Sequence, residues 1–358
     1  MTDQRHRVDE VTDAATRSMS CHQAPGTDTD TDADTDDTDA GLFGPSSMTW
    51  RVHGDPSMVV AGIRALLLQA VHPLAMAGVA QHSTYRVDPW GRLRRTAAYV
   101  GTITYGTTDQ ARRAAERVRH AHARIHGIEP VTGRPYQAAD PELLLWVHVS
   151  EVESFLTTAC RCGLRLTGRQ ADTYFAEQVR AAELIGIPAR DVPASRAAVA
   201  RYFARMRPHL RVTSQSREMI AFILRPPMPW WVSRTTPARP AWSALSAIAV
   251  GMLPGWVRRL YGLSDAPALA TAACLGARAT RTALLVLPRR LRQAPELRDA
   301  MARLARTGPG DRMIPQGGPR RLTMTPPRQR TEKEQPPDRA CRLPIHLAAV
   351  AGPASPGR

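Results

Sequence analysis

Between about residues 48 and 295, apolar positions recur at intervals of three and four, with polar and charged residues filling the gaps. That period is the signature of amphipathic helices. Three of them announce their starts in the same way. Asp55-Pro56, Asp88-Pro89 and Asp140-Pro141 each place a capping carboxylate before a proline whose missing N–H costs nothing at the first helical position. The spacing predicts helices over 56–72, 89–105 and 141–157. A fourth, opened by Thr107 or Thr108 with Asp109 in its first turn, runs to His126 and stops at Gly127. Further helical patterns occupy 170–186, 193–206, 214–224, 240–252 and 266–286. No run alternates convincingly enough for a strand, so the expected fold class is all-α, a single large helical domain.

The ends of the chain break the pattern. Residues 1–45 carry the tract TDTDTDADTDDTD and read as a disordered acidic segment, because such a sequence has no apolar surface to bury. The tract lacks the glycine and closing glutamate of a calcium-binding loop. Residues 296–358 become rich in proline and arginine and read as a flexible tail, leaving 46–295 as the folded domain.

Charge sharpens this division. The chain carries a formal +16, but residues 1–47 hold 11 acidic and 3 basic side chains, so the remainder carries +24. Almost all of that charge is arginine; Lys333 is the single lysine, which removes lysine-based covalent catalysis from the folded region. The arginines do not alternate with stacking aromatics, so a solvated basic surface is expected and nucleic acid is not. The five cysteines form no CxxC pair and the N-terminus has no apolar signal core, which together lead to the expectation of a reduced, cytoplasmic protein. No stretch meets the ~18-residue uncharged criterion for a spanning helix. Trp230 and Trp231 admit peripheral contact with a membrane surface.

Candidate chemistry centres on VRHAHARIHG, residues 118–127. Ala111, Ala114, Ala115, Val118, His122 and Ile125 share one helical stripe. His120 lies about 200° from His122 and faces water, and His126 sits at the helix end, where the dipole favours an imidazolium. The pair His122 and His126 spells HxxxH, a weak zinc motif without a third ligand or the glutamate of HExxH. His122 alone admits two readings: a core histidine bonded to a backbone carbonyl, or the single proximal imidazole of a haem iron in an apolar slot. Periodicity does not choose between them.

A second histidine, His148, stands on an apolar face with Leu144, Leu145, Val152 and Phe155, either as a hydrogen-bonded core residue or as a group lining a cavity. His72, before Pro73, falls at a helix break and is expected to satisfy backbone groups there. Arg92 and Thr96 are helical neighbours on the side of Tyr99, Val100 and Ile103. An inward arginine needs an anion, which Glu151 or a cofactor carboxylate would supply.

The ordered segments LLLQAVHPLAMAGVAQHS, DPWGRLRRT, VRHAHARIHG and YQAADPELLLWVHVS, followed by RPPMPWWVSRTTPARPAWSALSAIAVGMLPGWVRRLYGL, resemble the DUF2236 family, the MpaB-like and latex-clearing-protein-like oxygenases. The resemblance covers about residues 45–290. It implies an all-helical domain with a buried b-type haem site and O2-dependent attack on a C=C bond of a hydrophobic substrate, isoprenoid or lipid. It also implies that His122, within Arg119-x-x-His122, is the iron ligand, and that Arg92 and Thr96 match the Arg-x-x-x-Thr element at the haem and serve catalysis. His148 is then a second cofactor-side residue. A position that holds a lysine able to cap the iron in rubber-cleaving members is Arg95 here, and a guanidinium offers no lone pair. His126 stands where arginine is common in the family. Two other readings remain: a non-catalytic helical binding protein on a membrane or protein partner, and a zinc hydrolase built on HxxxH.

Overall fold

A computed structural model describes residues 39–306. Helices α1 (Met48–His53), α2 (Met58–Gln69), α3 (Pro73–His82), α4 (Pro89–Tyr105) and α5 (Thr108–Ala123) come first, followed by a small hairpin of β1 (His126–Ile128) and β2 (Pro135–Gln137). Then follow α6 (Pro141–Arg161), α7 (Gly168–Leu184), α8 (Arg196–Met206), α9 (Ser214–Leu224), α10 (Trp230–Thr235) and α11 (Ala238–Gly251). The C-terminal part holds α12 (Gly255–Leu260), α13 (Pro267–Val286), α14 (Arg289–Arg292) and α15 (Pro295–Arg306).

Two of the Asp-Pro starts act as expected. Asp88 accepts from the Gly91 amide at 2.7 Å and Asp140 from the Glu142 amide at 2.8 Å, with proline in the first turn of each helix. Asp55 differs. Its carboxylate accepts from Ser57 N at 3.0 Å and from the Arg281 guanidinium at 2.8 Å, so α2 begins two residues later, at Met58. The helix expected to reach His126 ends at Ala123 instead, and His126 opens β1 opposite Gln137. The hairpin captures the chain there: Ala138 N donates to Ile125 O at 2.8 Å, and buried Glu129 accepts from Val131 N, Thr132 N and Thr132 Oγ1 in the turn. The domain also extends past both expected limits. Asp39 accepts from Thr108 N at 2.6 Å, and α15 buries Leu297 and Ala300 beside Trp50 and Tyr105. The rest of both expected tails lies outside the described residues.

Helix α6 is the axis of the domain: fifteen of its 21 residues are buried, too many for a single amphipathic face. It packs chiefly against α2, and α11 covers α2 in turn. Between them the α2–α3 break at LLLQAVHP leaves carbonyls that must find donors. Tyr261 Oη reaches Leu67 O at 2.6 Å, Trp146 Nε1 reaches Gln69 O at 3.1 Å and Arg211 N reaches Val71 O at 2.9 Å. His72 caps α3, its Nδ1 accepting from Ala75 N at 3.3 Å, which is the structural role its position implied. Burial pushes its pKa down to about 4, so it stays neutral.

Arg64 and Glu153 form an ion pair inside the α2–α6 interface, with side chains 1% and 2% exposed. No helix among the described residues is long and apolar enough on its own to cross a membrane. The bent pair α2 and α3, which passes together by composition, belongs to the core just described. Cys162 and Cys274 carry free thiols, whereas Cys160 is disulfide-bonded, a departure from the expected all-thiol chain.

Candidate active site

Helices α4 and α5 form an antiparallel hairpin closed by Gly106 and by a capping box between Thr107 and Gln110. Near the turn the hairpin is tightly filled by Ile103, Ala111, Ala114 and Ala115. Counting outward from that turn at equal rise, Tyr99 comes level with Ala115, Thr96 with Val118, and Arg92 with His122. Helix α6 runs alongside in the same direction as α4. His53 bridges the two by bonding Thr104 and stacking edge-on to Phe155, and Glu151 acts electrostatically on Tyr99 one turn earlier. His148, a further turn back, therefore stands level with Thr96.

Yet α6 does not pack closely on α4 or α5. The stripe on α5 shows the same gap: Ala111, Ala114 and Ala115 are buried, while Val118 and His122 keep their phase but are only half-buried; Ile125, past the helix end, packs instead on Leu74, Ala77, Tyr136 and Leu143. Arg92, Tyr99 and Glu151 are half-buried too, although each is desolvated enough by its surroundings for its pKa to shift. Partial burial on all three helices, with α6 not packed closely on the other two, marks a hollow between α4, α5 and α6.

The polar groups in the hollow lack hydrogen-bond partners among the described residues. His122 makes no hydrogen bond among the described residues, unlike the carbonyl-bonded core histidine that its position also allowed, and burial lowers its pKa. The Arg92 guanidinium makes no side-chain hydrogen bond or ion pair among the described residues; burial lowers its pKa, with Tyr85 opposing that shift and the charge of Arg95 adding to it. Glu151, proposed as its anion, is not paired with it. Burial raises the Glu151 carboxyl to about 7, and holds His148 down at about 4, its Nε2 without a hydrogen-bond partner among the described residues. Enclosed charges and imidazoles without partners are costly, and a bound group is what offsets such a cost.

His53 supplies the contrast. Thr104 spends its own proton on Val100 O at 2.8 Å, so it accepts from His53 Nδ1–H at 2.8 Å, and Nε2 then accepts from the Tyr174 hydroxyl at 3.0 Å. This is a satisfied core histidine, neutral with its pKa pushed down to about 3. Sequence periodicity did not single it out, because α1 is too short to show a stripe.

The remaining expected residues are placed as follows. Thr96 is exposed and its Oγ1 donates to Arg92 O at 3.1 Å. Arg119 is exposed and donates to Leu184 O at 3.0 Å, fastening α5 to the end of α7 rather than entering the hollow. Arg95 turns back to Asp88 at 3.2 Å and Thr84 at 3.2 Å. His120 and His126 are exposed. No group of three His, Cys, Asp or Glu side chains among the described residues is placed to hold a metal, so HxxxH lacks the third protein ligand that zinc needs.

Glu151 makes this site visible in stability. Its folded pKa of about 7 exceeds the unfolded 4.5, so the unfolded chain releases its proton first as pH rises. Stability is full below pH 4.5 and is lost as pH climbs to about 7. Glu151→Gln is expected to raise stability at pH 8 by on the order of 2–3 kcal/mol, with the gain vanishing near pH 4.5. Urea midpoints of both proteins across this range check it, and a pH-independent difference refutes it.

A family model described as "ER-bound oxygenase mpaB/B'/Rubber oxygenase, catalytic domain" matches residues 50–286. No curated protein and no solved structure matches the chain.

Proposed function

The chain belongs to this mpaB/rubber oxygenase catalytic-domain family, and on that premise we propose that it is a b-type haem-dependent oxygenase that oxidises or cleaves a C=C bond of a hydrophobic substrate. One observation carries the cofactor: His122 and Arg92 stand level on adjacent helices, each desolvated and each without a hydrogen-bond partner among the described residues. A neutral imidazole one turn from Val118, with no hydrogen-bond partner among the described residues, suits a single proximal ligand, and a desolvated guanidinium suits a propionate. His122 would hold the iron and Arg92 a propionate. Bound there, haem supplies the O2 activation that no side chain of this hollow provides.

The chain's own residues then do three things. Val118 and Val100 offer apolar walls that favour an isoprenoid or lipid chain over a polar substrate. His148 is neutral at pH 7, and its unbonded Nε2 is a hydrogen-bonding group on the α6 side of the hollow, across from the hairpin that carries His122. Glu151, poised near neutral pH, can hold or release a proton beside Tyr99.

Titrating the purified chain with haem b tests the reading. A saturable Soret change at one haem per chain is expected. Protein that stays spectrally silent would leave the alternative, a non-catalytic helical protein of the same fold.

A further inference from the structure

Helix α11 carries α13 on its outer side, and two glycines fix their register. A Cβ on Gly251 would fall 2.5 Å from Ala273 Cβ, and one on Gly276 would lie 3.4 Å from Ile248. Stepping back from Gly251 to Ile248 thus steps forward from Ala273 to Gly276, so the helices are antiparallel. Continued at equal rise, the register brings Ala238, the start of α11, level with Val286, the end of α13. Helix α10, which precedes α11 and packs on it, therefore shares one end of the domain with residues 285–290.

That end is unusual in composition. Trp230 is 73% exposed, Trp231 56% and Val286 82%, with Leu285 and Leu287 also uncovered. Exposed arginines surround them at positions 225, 234, 239, 289 and 290. Acidic residues are almost missing: between Glu218 and Glu296 only Asp265 occurs, and it pairs with Arg259 near the opposite end of α13. Glu296 is directed at Gly101 on α4.

We propose that this end, built from α10, the end of α13 and the start of α14, docks on the surface of a bilayer containing anionic lipid. Indole rings are favoured at the depth of the headgroups, Leu and Val insert just below, and guanidiniums meet the phosphates. A second copy of the chain would place this arginine ring against itself, which the charge disfavours. The surface also adjoins the hollow. Trp90, two residues before Arg92, donates to Pro227 O at 2.8 Å and stacks edge-on to Trp242 at 5.1 Å. Docking would therefore bring the α4 end of the hollow toward the layer in which an apolar substrate dissolves; that consequence rests on the proposed function, whereas the docking does not.

Flotation of the full chain with vesicles of phosphatidylcholine alone, and of phosphatidylcholine with phosphatidylglycerol, tests the surface without reference to haem. Binding to the anionic vesicles near 0.1 M salt is expected, with a blue shift of tryptophan fluorescence. Trp230→Ser/Trp231→Ser and Arg289→Glu/Arg290→Glu should each weaken it about tenfold or more. Arg112→Glu/Arg117→Glu, the same charge change on exposed positions of α5, should leave it nearly unchanged. Absence of binding, or equal weakening by all three pairs, overturns the proposal. So does a tryptophan variant that dissolves an oligomer while leaving vesicle binding intact, which would make this face a contact between copies. All four proteins are compared by thermal melting, since each replaced side chain is exposed and the fold should persist.

Discussion

His122→Ala will abolish the saturable Soret change on haem addition while leaving the haem-free fold as stable as before, to within about 0.5–1 kcal/mol. The two halves of this result have separate causes. The imidazole makes no hydrogen bond among the described residues and is only half-buried, so its removal breaks no internal hydrogen bond and empties little of the core, and alanine is the better helix former. If it ligates iron, by contrast, no histidine of its own segment replaces it, because His120 and His126 are exposed. His122→Gly with added imidazole should recover the band, a rescue that a merely structural histidine would not give. Arg92→Gln should weaken haem binding about tenfold to hundredfold, the worth of a charge-assisted bond to one propionate. His53→Ala is the control of opposite sign: it deletes bonds to Thr104 and Tyr174 and will lower stability while the hollow keeps its His122. A normal Soret titration in His122→Ala would remove this residue from the cofactor's coordination.

The helical class and the phase of each histidine on α5 were legible because periodicity reports which face a residue occupies. Asp88 and Asp140 were legible because an Asp-Pro pair solves a local problem, the free amides of the first turn. Asp55 shows where that reasoning stops: the same dipeptide has a carboxylate taken by Arg281, 226 residues away in the chain, and no local pattern encodes that. The end of α5 failed for a similar reason, since a three-residue strand has too few positions to alternate and is decided by its partner Pro135–Gln137. α15 was hidden by its composition: its arginines, taken with the proline- and arginine-rich residues that follow it, read as tail, although Leu297 and Ala300 fall on one buried face. Periodicity placed His122 on an inward stripe but could not tell a filled interior from a hollow one. That distinction comes from α6 standing away from α4 and α5, which is a property of three helices together. Arg119 illustrates the limit of resemblance: the motif Arg-x-x-His is present, yet the arginine is engaged by a helix end on α7.

Glu153→Ala should lower the unfolding free energy by about 3–5 kcal/mol, since it leaves an arginine charged and unpaired in the core. Against the ~5–15 kcal/mol that holds a typical domain together, this is a loss that urea denaturation would read as a large fall in midpoint. Both partners are almost wholly enclosed and the geometry is bidentate, with Arg64 donating to Glu153 Oε2 at 2.7 Å and Oε1 at 3.2 Å. The same guanidinium also reaches Ser154 Oγ at 2.6 Å and Met252 O at 3.1 Å, and Thr157 donates to Glu153 Oε1 at 2.8 Å. The network thus ties α2 to α6 and to the end of α11. Arg64→Met/Glu153→Leu should be less damaging than Glu153→Ala alone, because it removes both charges together and refills the space. A single variant that costs under about 1 kcal/mol, in the range of an exposed pair, would refute the assignment. Two residues away, Glu151 follows the opposite rule. Glu153 is held by the Arg64 guanidinium and the Thr157 hydroxyl; Glu151 has no hydrogen-bond partner among the described residues and shifts toward neutrality instead. Glu151→Gln should therefore stabilise at pH 8 where Glu153→Gln destabilises, and that difference in sign separates the carboxylate that builds the fold from the one that faces the hollow.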